Sequence, residues 1–218
     1  MSMVRACPSR MLAWLPAAGI GLLLGLGTVC AQVSDCPVPA YVYDTEPLLP
    51  KTIAALAGGK SVVIVVLGGA STRGQAAGDP ERAWPARLAA TLIKQFPATP
   101  VRVDNRAIAR QTAQEMAARL DREVVALKPS LVIWETGTAD AVSGAELDEF
   151  RQTIQSGLDR LRASGVEVVV MDMQFVRQTH AIINFDRYRN VIREVTDANA
   201  VPLFRRHDLM HHWAESGI

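Results

Sequence analysis

Ser61-Val62-Val63-Ile64-Val65-Val66-Leu67-Gly68-Gly69-Ala70-Ser71-Thr72-Arg73-Gly74 is the stretch on which the fold turns. A short apolar run rich in β-branched residues, with no polar alternation, is a strand buried on both faces, the situation of a parallel sheet. It stops abruptly in small and polar residues, where glycine permits a tight turn and close backbone approach.

Downstream, strand and helix signals alternate. Trp84 to Phe96 predicts a helix with Leu88, Leu92 and Phe96 at four-residue spacing, closed by Pro97. Val101 to Asp104 is a second strand. Thr112 to Leu127 predicts one amphipathic helix, with Ala113, Met116, Ala117, Leu120, Val124 and Leu127 along one stripe. Leu131 to Trp134 is a third strand, followed by a helix marked by Leu147, Phe150, Ile154, Leu158 and Leu161 and ended by Gly165. Val166 to Met171, a helix from about Phe185 to Asn199, and Val201 to Phe204 complete the series; Pro202 places the fifth strand at an edge. The expected fold is α/β, a three-layer sandwich around a five-stranded parallel sheet.

Composition narrows the function classes. The 218 residues carry 23 Lys+Arg against 22 Asp+Glu, net +1, which excludes a nucleic-acid binder working through a basic field and an acidic disordered chain. Residues 1–31 hold Arg5, Arg10 and no acid, then an apolar stretch from Met11 to Val29 and Val29-Cys30-Ala31 before Gln32. That pattern reads as a secretory signal, with an uncleaved anchor over residues 11–31 as the alternative. Either way the domain is expected outside the cytoplasm, periplasmic or secreted, with a membrane contact only through this segment. Residues 32–59 read as a Pro-containing approach to a domain over 60–218. Cys7 and Cys30 fall in the signal, so Cys36 alone cannot form an internal disulfide. No Cys/His cluster has zinc-ligand spacing, and neither metal nor cofactor is expected.

Three polar loops, 68–74, 105–112 and 135–140, fall at the carboxyl edge of the sheet, where ligands bind in open parallel sheets. Residues 68–74 lack the lysine of a phosphate loop and the glycine spacing of a dinucleotide fingerprint. What they do resemble, with two further blocks in order, is the SGNH (GDSL-type) hydrolase family, over about residues 60–206. Leu67-Gly68-Gly69-Ala70-Ser71-Thr72-Arg73-Gly74 is similar to the block L-G-D-S-L-T-x-G. Asn105 to Thr112 resembles N-x-x-I-x-G-x-T, and Gly137-Thr138-Ala139-Asp140 resembles G-T-N-D. The resemblance implies a flavodoxin-like sheet and ester hydrolysis of O-acyl or acetyl groups on a small ester or a glycan.

The same resemblance marks departures. The nucleophile position falls on Ala70, whose methyl cannot attack a carbonyl. The oxyanion-holding glycine falls on Arg110, and the oxyanion-holding asparagine on Ala139, which removes a side-chain donor. If activity survives, the catalytic set is Ser71 as nucleophile, His211 as base and Asp208 as its orienter, since Asp208-Leu209-Met210-His211 has the Asp-x-x-His spacing. The competing reading makes residues 205–213 a short amphipathic helix, with Leu209, Met210 and Trp213 inward and the histidines at its surface. Ser71 would then cap its turn, Asp140 and Asp172 would brace loops, and Trp84 and Trp134 would be core. The expected binding positions are Gly69, Ala70, Arg73, Asn105, Arg110, Gly137, Ala139 and Asp140, with Arg73, Arg106 and Arg110 suited to an anionic or polyhydroxy ligand. The function expected is therefore an esterase-like protein with hydrolysis impaired or lost. The alternative is a non-catalytic member binding cell-envelope polysaccharide. A long closing helix after the fifth strand has no counterpart before Ile218.

Overall fold

The fifth strand is where the sheet ends and where the last helix begins, so the architecture is easiest to follow from its strand order. The structure is a computed structural model and describes residues 38, 39, 42, 49–180 and 183–217, all within the unit Cys36–Ile218. The signal reading of residues 1–31 and Cys7, Cys30 and Cys36 lie outside the described residues. The elements in order are α1 (Pro50–Ala57), β1 (Val62–Leu67), α2 (Ala70–Arg73), α3 (Trp84–Gln95), β2 (Val101–Asn105), α4 (Ala113–Ala117), α5 (Leu120–Glu123) and β3 (Leu131–Glu135). They continue with α6 (Thr138–Ser143), α7 (Leu147–Ala163), β4 (Glu167–Met171), α8 (Arg177–His180), α9 (Phe185–Ala198), β5 (Leu203–Phe204) and α10 (Arg206–Glu215). The strands form one parallel sheet in the order β2-β1-β3-β4-β5. This is the flavodoxin-like order, whose topological switch point lies between β1 and β3.

Alternation within the strands builds two cores. Val65, Leu67, Val132, Trp134, Val168 and Val170 face one side and pack with Met116, Leu120, Ile154, Leu158 and Ile192. Ile64, Val66, Leu131 and Ile133 face the other and meet Leu56, Trp84, Leu88 and Leu92. Helices therefore cover both faces, which is why the central strands read as unbroken apolar runs.

Four details differ from the sequence expectations. The single helix over 112–127 is broken into α4, α5 and a 3-10 turn at Val125–Leu127. Arg119 sits between them with φ −111° and ψ 3°, and its buried guanidinium donates to the Arg106 carbonyl at 2.6 Å. Within the stretch read as an approach segment, α1 is a helix whose first N–H groups, from Lys51 and Thr52, donate to the Glu167 carboxylate on β4. β5 spans only two residues, because Pro202 offers β4 a carbonyl, to Val170 N–H, but has no N–H of its own. The short β5 is followed by the ten-residue α10, and His207 on it is buried rather than at the surface, its ring edge-on to Phe175 at 5.3 Å.

One glycine decides how closely α7 lies on β3. A Cβ at Gly157 would stand 2.5 Å from ring atoms of Trp134, a side chain with no exposed surface. Gly157→Ala should gain about 1 kcal/mol of helix propensity and lose about 1–3 kcal/mol to overpacking. Urea unfolding is expected to show net destabilisation; a stabilised variant would contradict this packing.

Candidate active site

The site starts from an acidic residue at the end of an apolar strand. Leu131 to Trp134 are buried aliphatic and aromatic residues, and Glu135, only 3% exposed, closes β3 at the switch point. A carboxylate so placed must be neutralised and hydrogen-bonded. It is, by the turn after β1: Gly69 N–H donates to Oε2 at 3.0 Å, Ser71 Oγ–H to Oε1 at 3.2 Å, and Thr72 Oγ–H to Oε2. A Cβ at Gly68 would lie 2.4 Å from that Oε2, so only glycine lets β1 approach this closely. The Trp84 indole donates to Thr72 Oγ at 3.1 Å, and the Asn105 amide to the Thr72 carbonyl at 2.9 Å.

The positive partner comes from the far end of the chain. Arg206, the first residue of α10, places its guanidinium 3.4 Å from Glu135 Oε1 and donates to Ser71 Oγ at 3.1 Å and Gln174 Oε1 at 3.3 Å. Its side chain is largely buried, and that burial pulls its pKa below the usual arginine value against the charges of Glu135 and Asp172. The Ser71 hydroxyl thus gives its proton to a carboxylate and receives one from a guanidinium. It does not cap its own turn, as the sequence suggested.

Beside this network lies a cleft of about 400 Å³. Of the sequence-derived binding positions, Gly69, Ala70, Arg110, Gly137 and Ala139 line it, as does Ser71. Asn105 instead braces the turn, and Arg73 is exposed on α2 outside the cleft lining. Arg106 pairs with Asp104 at 2.9 Å. Asp140 is buried and accepts from the Ala113 N–H at 3.0 and 3.1 Å; burial raises its carboxyl pKa despite that bond. Asp172 likewise braces α10 through the His207 N–H at 2.9 Å, and its pKa is raised by burial.

Arg110 carries the clearest trace of the family pattern. Its φ is +66°, the left-handed region that costs a non-glycine residue roughly 1–2 kcal/mol. The chain holds, with an arginine, a backbone shape that glycine adopts without strain. The following residues reverse into α4, where Thr112 and Glu115 form a capping box.

Asp208 and His211 are placed elsewhere. They line a separate pocket of about 250 Å³ with Arg205, His212 and Glu215. His211 Nε2 is 3.4 Å from Glu215, and its ring lies 4.6 Å from that of Phe175. Asp208 is gripped by Arg189, by Arg193 at 2.9 Å and by Arg205 at 2.6 Å. The structure therefore brings Ser71 together with Glu135, Gln174 and Arg206, while Asp208 and His211 sit in another pocket. Glu135, Gln174 and Arg206 were missed in the sequence; a lone acid ending an apolar strand was the available signal for the first, and nothing local marked the others.

Among the described residues, no group of three His, Cys, Asp or Glu is placed to hold a metal ion, and no helix is long and apolar enough to cross a membrane. The parallel sheet, with its three blocks at the switch point, is that of an SGNH-type hydrolase. The chain belongs to the non-GDSL lipase-like family, whose model matches residues 35–218. Among solved structures it is similar to TesA, at 25% identity and TM-score 0.57, over 65% of this chain and 76% of that one. It also resembles a G-D-S-L family protein from Desulfitobacterium hafniense DCB-2, at 24% identity and TM-score 0.55, over 65% and 75% of the two chains. A third is the acetyl xylan esterase AlAXEase, at 16% identity and TM-score 0.58, over 72% and 83%. The last two support the fold alone. A comparison with curated proteins found no match.

Burial alone would raise the Asp208 carboxyl, but His207 and the charges of Arg189, Arg193 and Arg205 outweigh it and hold its pKa far below the unfolded value of 3.8. A depressed folded pKa gives stability that is complete above the unfolded pKa and is lost as pH falls toward the folded one. Asp208→Asn should lose about 2–3 kcal/mol at pH 7, because Arg189 stays buried with a weaker partner set. Below pH 3.8 its stability should fall less steeply than the parent's. Parallel acid limbs in chemical unfolding would contradict this assignment.

Proposed function

We propose that this member of the lipase-like family has lost serine-dependent ester hydrolysis and uses its cleft to bind a ligand outside the cytoplasm. The observation that carries the reading is the pair at the start of α2. Ala70 leads the turn with a methyl group, and the Ser71 hydroxyl next to it is held between Glu135 and Arg206.

Acyl transfer by a serine needs a free lone pair on the hydroxyl, a base to take its proton, and donors for the developing oxyanion. At Ser71 the oxygen already accepts from Arg206, which takes one of its two lone pairs and draws electron density from the other. The nearest carboxylate, Glu135, which accepts from Ser71, is also held by two other donors, Gly69 N–H and Thr72 Oγ–H, and by the Arg206 charge, all of which make it a weaker base. Among the described residues lining the cleft there is no imidazole. Ala139 adds no side-chain donor, a loss that typically raises a hydrolytic barrier by about 3–4 kcal/mol. What remains is suited to recognition: a cleft within the usual size of small-molecule sites, walled by apolar and polar groups. The apolar stretch after Arg5 and Arg10 supports export, and a cell-envelope glycan fits that compartment.

The test uses protein recovered from the exported fraction, with an intact mass showing whether the chain starts at Gln32. Hydrolysis of p-nitrophenyl acetate is expected to match buffer, and a fluorophosphonate probe is expected to leave Ser71 unlabelled. Turnover above buffer that Ser71→Ala abolishes, or a covalent adduct on Ser71, would overturn the loss of hydrolysis.

A further inference from the structure

We propose that the free edge of β2 is a self-association surface, on which a second copy of this chain pairs its own β2 antiparallel and joins the two sheets into one.

β2 ends the sheet and has β1 on one side. The bonds at its two ends fix which backbone groups are already used. Val62 N–H donates to the Pro100 carbonyl at 2.9 Å, and Arg106 N–H to the Val66 carbonyl at 2.8 Å. With Val62 in register with Val101 and Ile64 with Val103, the even-numbered residues of β2 bond to β1. The N–H and C=O groups of Val101, Val103 and Asn105 therefore point outward, and they make no hydrogen bond among the described residues. Such an edge is a template for another strand unless the chain blocks it.

The side chains select the partner. Arg102 and Asp104 share the sheet face of Val63 and Val65. Arg102 is exposed and has no ion-pair partner among the described residues; Asp104 pairs with Arg106 at 2.9 Å. Opposite charges two residues apart complement their own copies when two strands run antiparallel about Val103. Val103 then faces its counterpart, and Val101 faces Asn105 of the second copy, as hydrogen-bonded pairs that use the outward groups. Arg102 faces Asp104 of the second copy in the non-hydrogen-bonded position, where cross-strand side chains come closest. Centring the pair on Arg102 or on Asp104 instead would oppose like charges, so the charges fix the register as well as the partner.

α3 favours the same occupant. It packs on β2 across the other face of the sheet, with Leu88 and Leu92 turned inward. In a right-handed β1–α3–β2 crossover, the flank of α3 on the side of the free edge carries Ala86, Ala89 and Ile93. Ile93 is 51% exposed. The opposite flank carries Arg87, Thr91 and Gln95. Small and apolar residues beside the edge give the α3 of a second copy room to approach and apolar surface to cover.

The full chain is followed by sedimentation velocity between about 1 and 100 μM. The parent should pass reversibly from monomer to dimer, with a midpoint in the micromolar range that suits a small interface. Val103→Pro removes an outward N–H that the β1 ladder does not use, so it should keep a melting temperature close to the parent's and remain monomeric. Arg102→Asp and Asp104→Arg should each weaken the dimer at least about tenfold, because symmetry opposes like charges twice. Mixed in equal amounts, these two variants should associate as tightly as the parent, since every facing charge pair is then opposite in sign. A parent that stays monomeric across the range would overturn the proposal. A dimer that these changes leave intact, or two charge variants that stay apart on mixing, would place any contact elsewhere and overturn it as well. Should Val103→Pro fail to fold, the mixing result decides.

Discussion

A single buried carboxylate sets the terms for the rest of this molecule. Glu135 ends β3 with almost no solvent contact, and a charge taken out of water is tolerated only when donors and a countercharge surround it. The turn after β1 supplies a backbone N–H and two hydroxyls, and the chain's last helix supplies Arg206. Segments far apart in sequence, at residues 69–72, 135 and 206, are fixed by one group. Gly68 is required because β1 must pass within contact distance of the carboxylate. The geometry of the cleft wall follows from that one requirement.

The same requirement supports the proposed loss of hydrolysis. A serine hydroxyl serves as a nucleophile when its proton can leave and its oxygen is open to substrate. Here the hydroxyl of Ser71 is part of the coordination of Glu135 and Arg206, and the residue ahead of it, Ala70, has none. The Asp-x-x-His spacing survives on α10, yet its aspartate is the hub of an arginine cluster with Arg189, Arg193 and Arg205, and its histidine faces Phe175 and Glu215. Residues that suit a triad by spacing are used here to hold α10 on α9. Spacing along a helix shows which side chains share a face; it does not say what that face meets.

Most of the fold was legible because its signals are local. The apolar run 62–67, the stripe Leu147 to Leu161 and the stops at Gly165 and Pro97 each announce their element without reference to the rest of the chain. The order of three loop blocks then gave the family. The helix over 112–127 was misread because its apolar stripe is continuous, while the break at Arg119 comes from a tertiary bond to the Arg106 carbonyl. His207 looked like a surface residue beside His211 and His212, and is buried because Asp172 holds its N–H and Phe175 covers its ring. Of the site, the loop positions were found and the Glu135–Arg206 pair was not. Local sequence carries no mark of two residues that meet across seventy positions.

A double-mutant cycle on Glu135→Gln and Arg206→Gln, read by urea unfolding at neutral pH, addresses the shared carboxylate most directly. The account predicts that the two changes are coupled by about 1–3 kcal/mol, each single variant stranding the partner left behind. Additive effects, within about 0.5 kcal/mol, would mean that the turn and the last helix are held independently.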